Sequence, residues 1–207
     1  MHIPADSLGN SERYALLTSA VVPRPIAWVT SLDAADVLNA APFSYFNVFG
    51  ATPPILGVSI GKRREGEDKD TLANIKAKGE FVVHIVNEAL AETMVETAIP
   101  FPPGEGEVGA LELATAPSEA VAVPRLENAP VAMECRTHQL VELGSSTLVL
   151  GEVVSFYVRE GLMEEGKIDP HKLRAVGRLG GSYYTRTREL FEDDRKSYEE
   201  WKAKNDA

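Results

Sequence analysis

Three observations predict a mainly β chain folded as an antiparallel β-barrel with peripheral helices. Short apolar, β-branched runs recur along the sequence and clearly outnumber helical stripes. Most connections between those runs are too short for the crossovers that parallel strands require. Two long runs, Pro130–Leu143 and Ser146–Val158, stand at hairpin spacing across the turn GSS.

The first strand is PIAWVTSL, Pro25–Leu32, followed by the turn-like DAAD and then VLNAAPFSYFNVF. A second strand, Pro53–Gly61, opens on a proline pair that cannot sit inside a ladder. In DTLANIKAKG, Leu72 and Ile75 with Ala73 or Ala77 make a helical stripe, Asp70 is placed to cap it and Gly79 to stop it. Glu80–Asn87 reads as a strand deep in the sheet, and Glu88–Ala98 as a second helix. Ile99–Gly109 is a Pro/Gly loop, and the long hairpin comes next. A charged helix over about residues 187–205 closes the chain, with Leu190, Tyr198 and Trp201 as the few side chains able to dock. There is no internal repeat.

With 207 residues, 44% of them hydrophobic, the chain can build one sizeable core, and a single domain over 1–207 with its core at about 13–186 is expected. A formal charge of -10 argues against general nucleic-acid binding and against anionic membrane surfaces. The longest apolar runs are too short to span a bilayer, and the N-terminus lacks the basic-then-apolar order of a signal peptide, so a cytoplasmic location is expected. Cys135 is the only cysteine, which excludes an internal disulfide and a cysteine zinc cage. Its strand context makes it a small core hydrophobe.

GEGEVG, Gly104–Gly109, fits the spacing of a dinucleotide fingerprint. It lacks the preceding strand and the opening helix, and it would set two glutamates against a pyrophosphate, so it reads as a loop. The histidines at 2, 84, 138 and 171 include no pair at metal-ligand spacing, and His84 alternates with Val83 and Ile85 as a structural strand residue would. With no nucleophile elbow and no phosphate loop, either a bound cofactor carries the chemistry or there is none.

Lys62, Arg63 and Arg64 stand in a row just ahead of the helix at Asp70 and Thr71. A helix N-terminus with a hydroxyl and cations beside it suits a phosphate monoester. A solvated turn whose cations offset Glu65, Glu67 and Asp68 fits the same residues. NAAPFSYFN, Asn39–Asn47, combines small residues with Ser44, Tyr45 and Asn47, a surface suited to a flat ring with hydrogen-bonding edges. An aromatic loop plugging a barrel end fits equally.

Four blocks in order, VVPRPIAWVTSLD, LNAAPFSYFNVFGATPPILGVSIG, KDTLANIKAKGEFVVHIV and AVGRLGGSYYTR, resemble the flavin reductase-like family with its FMN-binding split β-barrel, and its flavoredoxin-like branch most. The resemblance spans about Arg13 to Arg186. It implies FMN held non-covalently at a homodimer interface. Thr30, Ser31, Arg63, Lys69 and Thr71 would surround the phosphate and ribityl chain, with Lys62 and Arg64 as neighbouring cations. Trp28, Asn39, Ala41, Ser44, Tyr45, Phe46 and Asn47 would line the isoalloxazine, and Tyr184 or Tyr183 could reach it.

By that resemblance the expected activity is oxidoreduction: NADH or NADPH reduces the flavin, which passes electrons to a partner oxygenase or an electron-transfer protein. Direct hydride transfer between stacked rings needs no acid or base, so no catalytic side chain and no metal is expected. Two other readings stay open: an electron-carrier flavoprotein that uses no nicotinamide, and a cofactor-free split barrel acting as a binding module.

Overall fold

A computed structural model of the chain describes residues 1–63, 66–102 and 105–205. A 3-10 turn at Ala5–Ser7 leads into helix α1 (Asn10–Ala20). Strands β1 (Ala27–Leu32), β2 (Leu38–Phe43), β3 (Phe46–Ala51) and β4 (Pro54–Gly61) follow, then α2 (Asp70–Lys78) and β5 (Glu80–Ile85). Helices α3 (Ala91–Glu96) and α4 (Glu107–Ala110) and the two-residue strands β6 (Thr115–Ala116) and β7 (Arg125–Leu126) precede the long hairpin, β8 (Val131–Leu143) and β9 (Ser146–Val158). Beyond it lie β10 (Met163–Glu164), β11 (Lys167–Ile168), α5 (Pro170–Leu173), β12 (Val176–Arg178), β13 (Tyr184–Arg186) and α6 (Tyr198–Asn205).

Seven strands form one antiparallel sheet in the order β2-β1-β5-β8-β9-β4-β3. The two edge strands are consecutive in sequence, joined only through Ser44 and Tyr45. Laid flat, six spacings of about 4.8 Å would part the edges by about 29 Å. Three residues of chain, from Phe43 to Phe46, reach at most about 11 Å. The sheet therefore has to curl, and it closes as a split barrel.

Alternation along β1 and β5 divides the core. Ala27, Val29, Phe81 and Val83 turn into the barrel with Leu56, Val58, Cys135 and Val149, and α2 adds Leu72 and Ile75. Trp28 faces outward with Ile26, Met94, Leu126 and Val176, while Val82 packs under Val121 and Val123. Strand β5 is thus covered on both faces, the depth its apolar run predicts. His84 is fully buried on the outer side: Leu126 N donates to its Nε2 at 2.9 Å, which leaves Nδ1 to donate to Trp28 O at 2.8 Å. Burial lowers its pKa to about 4, so the ring is neutral and structural. Cys135 is buried as expected, and burial raises its thiol pKa.

Several boundaries differ from the sequence reading. Lys69, not Asp70, occupies the N-cap of α2; Asp70 is its first helical residue, with its carboxylate on Arg63 at 2.5 Å. The helix expected over Glu88–Ala98 is a 3-10 turn, Glu88–Leu90, followed by α3. It ends early by tightening into three-residue turns, with Ala98 N donating to Val95 O and Ile99 N to Glu96 O, while the Thr97 hydroxyl donates back to Met94 O at 2.8 Å. The loop around Gly104–Gly109 contains the single turn α4, and Gly104 lies outside the described residues. The C-terminal helix is confined to α6. The acidic run before it places two weak helix formers, Asp193 and Asp194, side by side with no buried face, and Leu190, Tyr198 and Trp201 stay exposed rather than docked.

Candidate functional site

Three adjoining clefts follow β2 and the corner into β3. The first, about 220 Å³, lies between β2, the start of α2 and the segment after α3. It gathers Asn39, Ala41, Arg63, Lys69 and Thr71 of the expected set, beside Pro42 and Phe43. The second, about 240 Å³, shares Pro42, Phe43 and Ala98 with the first and brings in Ser44 and Tyr184. The third, about 300 Å³, shares Ser44 with the second and is lined by Tyr45, Phe46 and Asn47. At about 3.4 Å per residue, Asn39 to Ser44 spans about 17 Å. The clefts share lining residues and make one groove, with cations at the α2 end, an apolar stretch at Ala41, Pro42 and Phe43, and Arg24 and Arg178 in its middle.

At the cationic end, the first N–H groups of α2 have no partner within the helix and carry its positive pole. Lys69 places its ammonium 5.9 Å from the centre of the Phe43 ring, and Arg63 is braced by Asp70. Thr71 is buried, and its hydroxyl donates to Asn39 Oδ1 at 3.1 Å. Its proton is therefore committed to Asn39, where the sequence reading had it available to a phosphate. Lys62 lines none of the three clefts, and Arg64 lies outside the described residues.

Trp28, Thr30 and Ser31 are not brought to the groove. Trp28 and Thr30 lie on the outer face of β1; the indole donates to Thr97 Oγ1 at 2.9 Å and the Thr30 hydroxyl to Pro124 O at 2.9 Å. Ser31 Oγ accepts from Asn74 Nδ2 at 3.1 Å. Trp28 serves the site indirectly, since Thr97 is part of the first cleft's wall. Phe46 turns its ring into the barrel core, so it meets the groove from behind. Tyr183 is 74% exposed and stands outside all three clefts, whereas Tyr184, half-buried under Arg178, lines the second.

Glu107, Arg24 and Arg178 complete the groove, and the sequence reading missed all three as site residues. Glu107 comes from the segment set aside as a loop. Its Oε2 accepts from Asn39 Nδ2 at 2.5 Å and from Ala40 N at 3.0 Å, an edge-strand amide with no strand partner on that side. Burial holds this carboxyl above its ordinary range, and the charge of Asp70 adds to the effect. The available signal was Gly106: a Cβ there would stand 2.3 Å from Leu38 O, so only glycine lets this turn approach β2.

Residues 19–178, more than half of the chain, match the family described as "Flavin reductase like domain". The chain belongs to the flavin reductase-like family. Among solved structures of similar fold, nitrilotriacetate monooxygenase component B from Bacillus cereus superposes with a TM-score of 0.90 at 39% identity, covering 93% of this chain and 98% of that one. The 2-nitrobenzoate 2-nitroreductase of Pseudomonas fluorescens follows at 0.87 and 35% identity, over 96% and 98%. Flavoredoxin of Desulfovibrio vulgaris (Miyazaki F), at 0.72 and 22% identity over 86% and 92%, shares the fold. This chain is thus a split barrel of a family that includes flavin-related oxidoreductases.

Proposed function

We propose that the chain binds FMN non-covalently along the β2 groove and passes electrons from NADH or NADPH through it to a second acceptor. One observation carries the reading: a single groove joins the cationic start of α2 to the flat apolar floor of Ala41, Pro42 and Phe43. The donor set suits a phosphate monoester at one end, through Arg63, Lys69 and the free helix amides. Small residues at Ala41 and Ala98 leave room for a planar ring beyond it. When bound, the flavin supplies the redox chemistry. The protein's own residues bind and orient it: Lys69 and Arg63 offset phosphate charge, Asn39 is locked between Thr71 and Glu107, and Phe43 gives the ring a backing.

Lys69→Ala should weaken FMN about ten- to a hundredfold, the value of one charge-assisted hydrogen bond, and leave riboflavin nearly unaffected. Quenching of flavin fluorescence measures both. Equal losses for the two flavins would take the phosphate away from α2. Stopped-flow mixing of the FMN-loaded protein with NADH and with NADPH then tests the donor; no bleaching by either would favour the electron-carrier reading. Similarity to a monooxygenase component B at 39% identity supports a partner oxygenase as acceptor.

A further inference from the structure

We propose that the middle cleft, floored by Arg24 and Arg178, is a subsite for the carboxylate of a small planar acid. Arg24 and Arg178 are directly paired in an antiparallel bridge: Arg24 N donates to Arg178 O at 2.9 Å and Arg178 N to Arg24 O at 2.8 Å. Residues opposed in this way project to the same side, and both line the same cleft. Like charges placed so are destabilising. Among the described residues neither arginine has a carboxylate within ion-pair distance, and no acidic side chain lines the cleft.

Arg24 is 7% exposed. Its Nη1 donates to Thr18 O and Val21 O, its Nη2 to Leu179 O, and its Nε to Ser44 Oγ at 3.4 Å. Carbonyl dipoles satisfy its N–H groups without cancelling its charge, and an uncompensated buried cation is costly. Arg178 stacks 4.4 Å from the Tyr184 ring centre, gives Nη2 to Gly181 O and Nη1 to the Tyr184 hydroxyl, and has no acceptor for Nε among the described residues. Ser44 and Tyr184 each accept from an arginine, so each keeps a hydroxyl proton to donate.

The remaining walls favour a ring: Tyr14 and Tyr184 flank the cleft, over Ile26 and Met94. Arg178 keeps its Nε edge for a planar carboxylate while Arg24 adds buried positive charge, and the two tyrosine walls match the ring that carries the acid. Pro42 and Phe43 belong to this cleft and to the proposed FMN cleft alike, so the acid would lie beside the flavin as a second substrate. That placement rests on the flavin reading; the anion subsite does not.

The test titrates benzoate, its neutral isostere benzamide and inorganic phosphate against the full chain at fixed ionic strength, with FMN binding measured separately. Benzoate should bind and raise the melting temperature, benzamide should bind at least tenfold more weakly, and Arg178→Gln should cost benzoate at least tenfold while its weak binding of benzamide changes little. Arg178→Lys keeps the charge without the fork and should fall between. Should the Gln variant not fold, the Lys variant and the benzoate–benzamide difference in the unaltered chain decide. Equal binding of benzoate and benzamide, or phosphate binding in place of benzoate, would overturn the proposal. If FMN fails to bind while benzoate behaves as expected, the subsite stands and the cofactor reading falls. FMN binding without benzoate binding gives the opposite result.

Discussion

At Glu107 a carboxylate with little water around it shares a cleft with Lys69, Arg63 and Asp70. Its raised pKa makes the charged form the costly one in the folded chain. The stability it contributes is complete below the ordinary carboxylate range and is lost as pH rises through the raised value. A phosphate in the same cleft would oppose that charge further. FMN affinity should therefore fall as pH rises through the Glu107 titration, by about tenfold for one added like charge at close range. Glu107→Gln should flatten the profile, and fluorescence titrations of both proteins from acid to alkaline pH check it. A parallel decline in both would assign the pH dependence elsewhere. The chemistry of single residues was unevenly legible. His84 and Cys135 were readable because alternation in a strand fixes which way a side chain points. Glu107 was not, because nothing local says that a glycine-rich loop will fold onto a sheet edge 68 positions away in the chain.

Helix α2 shows which element boundaries a sequence can and cannot mark. Gly79 ends it in the left-handed region, φ 73°, as its position after the stripe predicts. The start shifted by one residue: Asp70 turns its carboxylate to Arg63, and Lys69 O accepts the first helix bonds. The α4 turn carries the contrasting prediction. Gly106→Ala would drive a methyl into the β2 backbone, parting the turn from the strand, and overpacking of this kind costs about 1–3 kcal/mol. FMN affinity should drop with it, since Glu107 and Asn39 lose their register. Gly79→Ala meets nothing within 4 Å, so it should cost about 1 kcal/mol of stability and leave FMN binding intact. Thermal unfolding alongside flavin quenching separates the two; equal effects on binding would detach α4 from the site.

For the whole molecule, the antiparallel barrel and its long hairpin followed from short connections and spacing, whereas the strand order and the outer covering of the barrel did not. Edge strand β3 leaves Val48 and Phe49 at 65% and 60% exposure, and Leu17 and Val21 are 57% and 59% exposed. Apolar side chains on an unpaired sheet edge are a ready association surface. We expect a homodimer through this face: light scattering should give twice the 22.5 kDa chain mass at micromolar concentration, and Val48→Lys with Phe49→Lys should return the monomer. A monomer for the unaltered chain would overturn this.

The crossing at Ser44 and Tyr45 has a consequence for engineering. It is the covalent link between the two rims of the sheet, and the groove draws from both sides of it: Asn39 and Ala41 before, Arg63 and Lys69 after. Cut at that peptide bond, the chain would become two pieces, 1–44 and 45–207, whose docking rests on the β1–β5 ladder, the Arg24–Arg178 bridge and the Glu107 bonds to β2. FMN bound across them would favour the reassembled form by mass action. On the proposed FMN reading, a split at this corner would act as a flavin-dependent reporter.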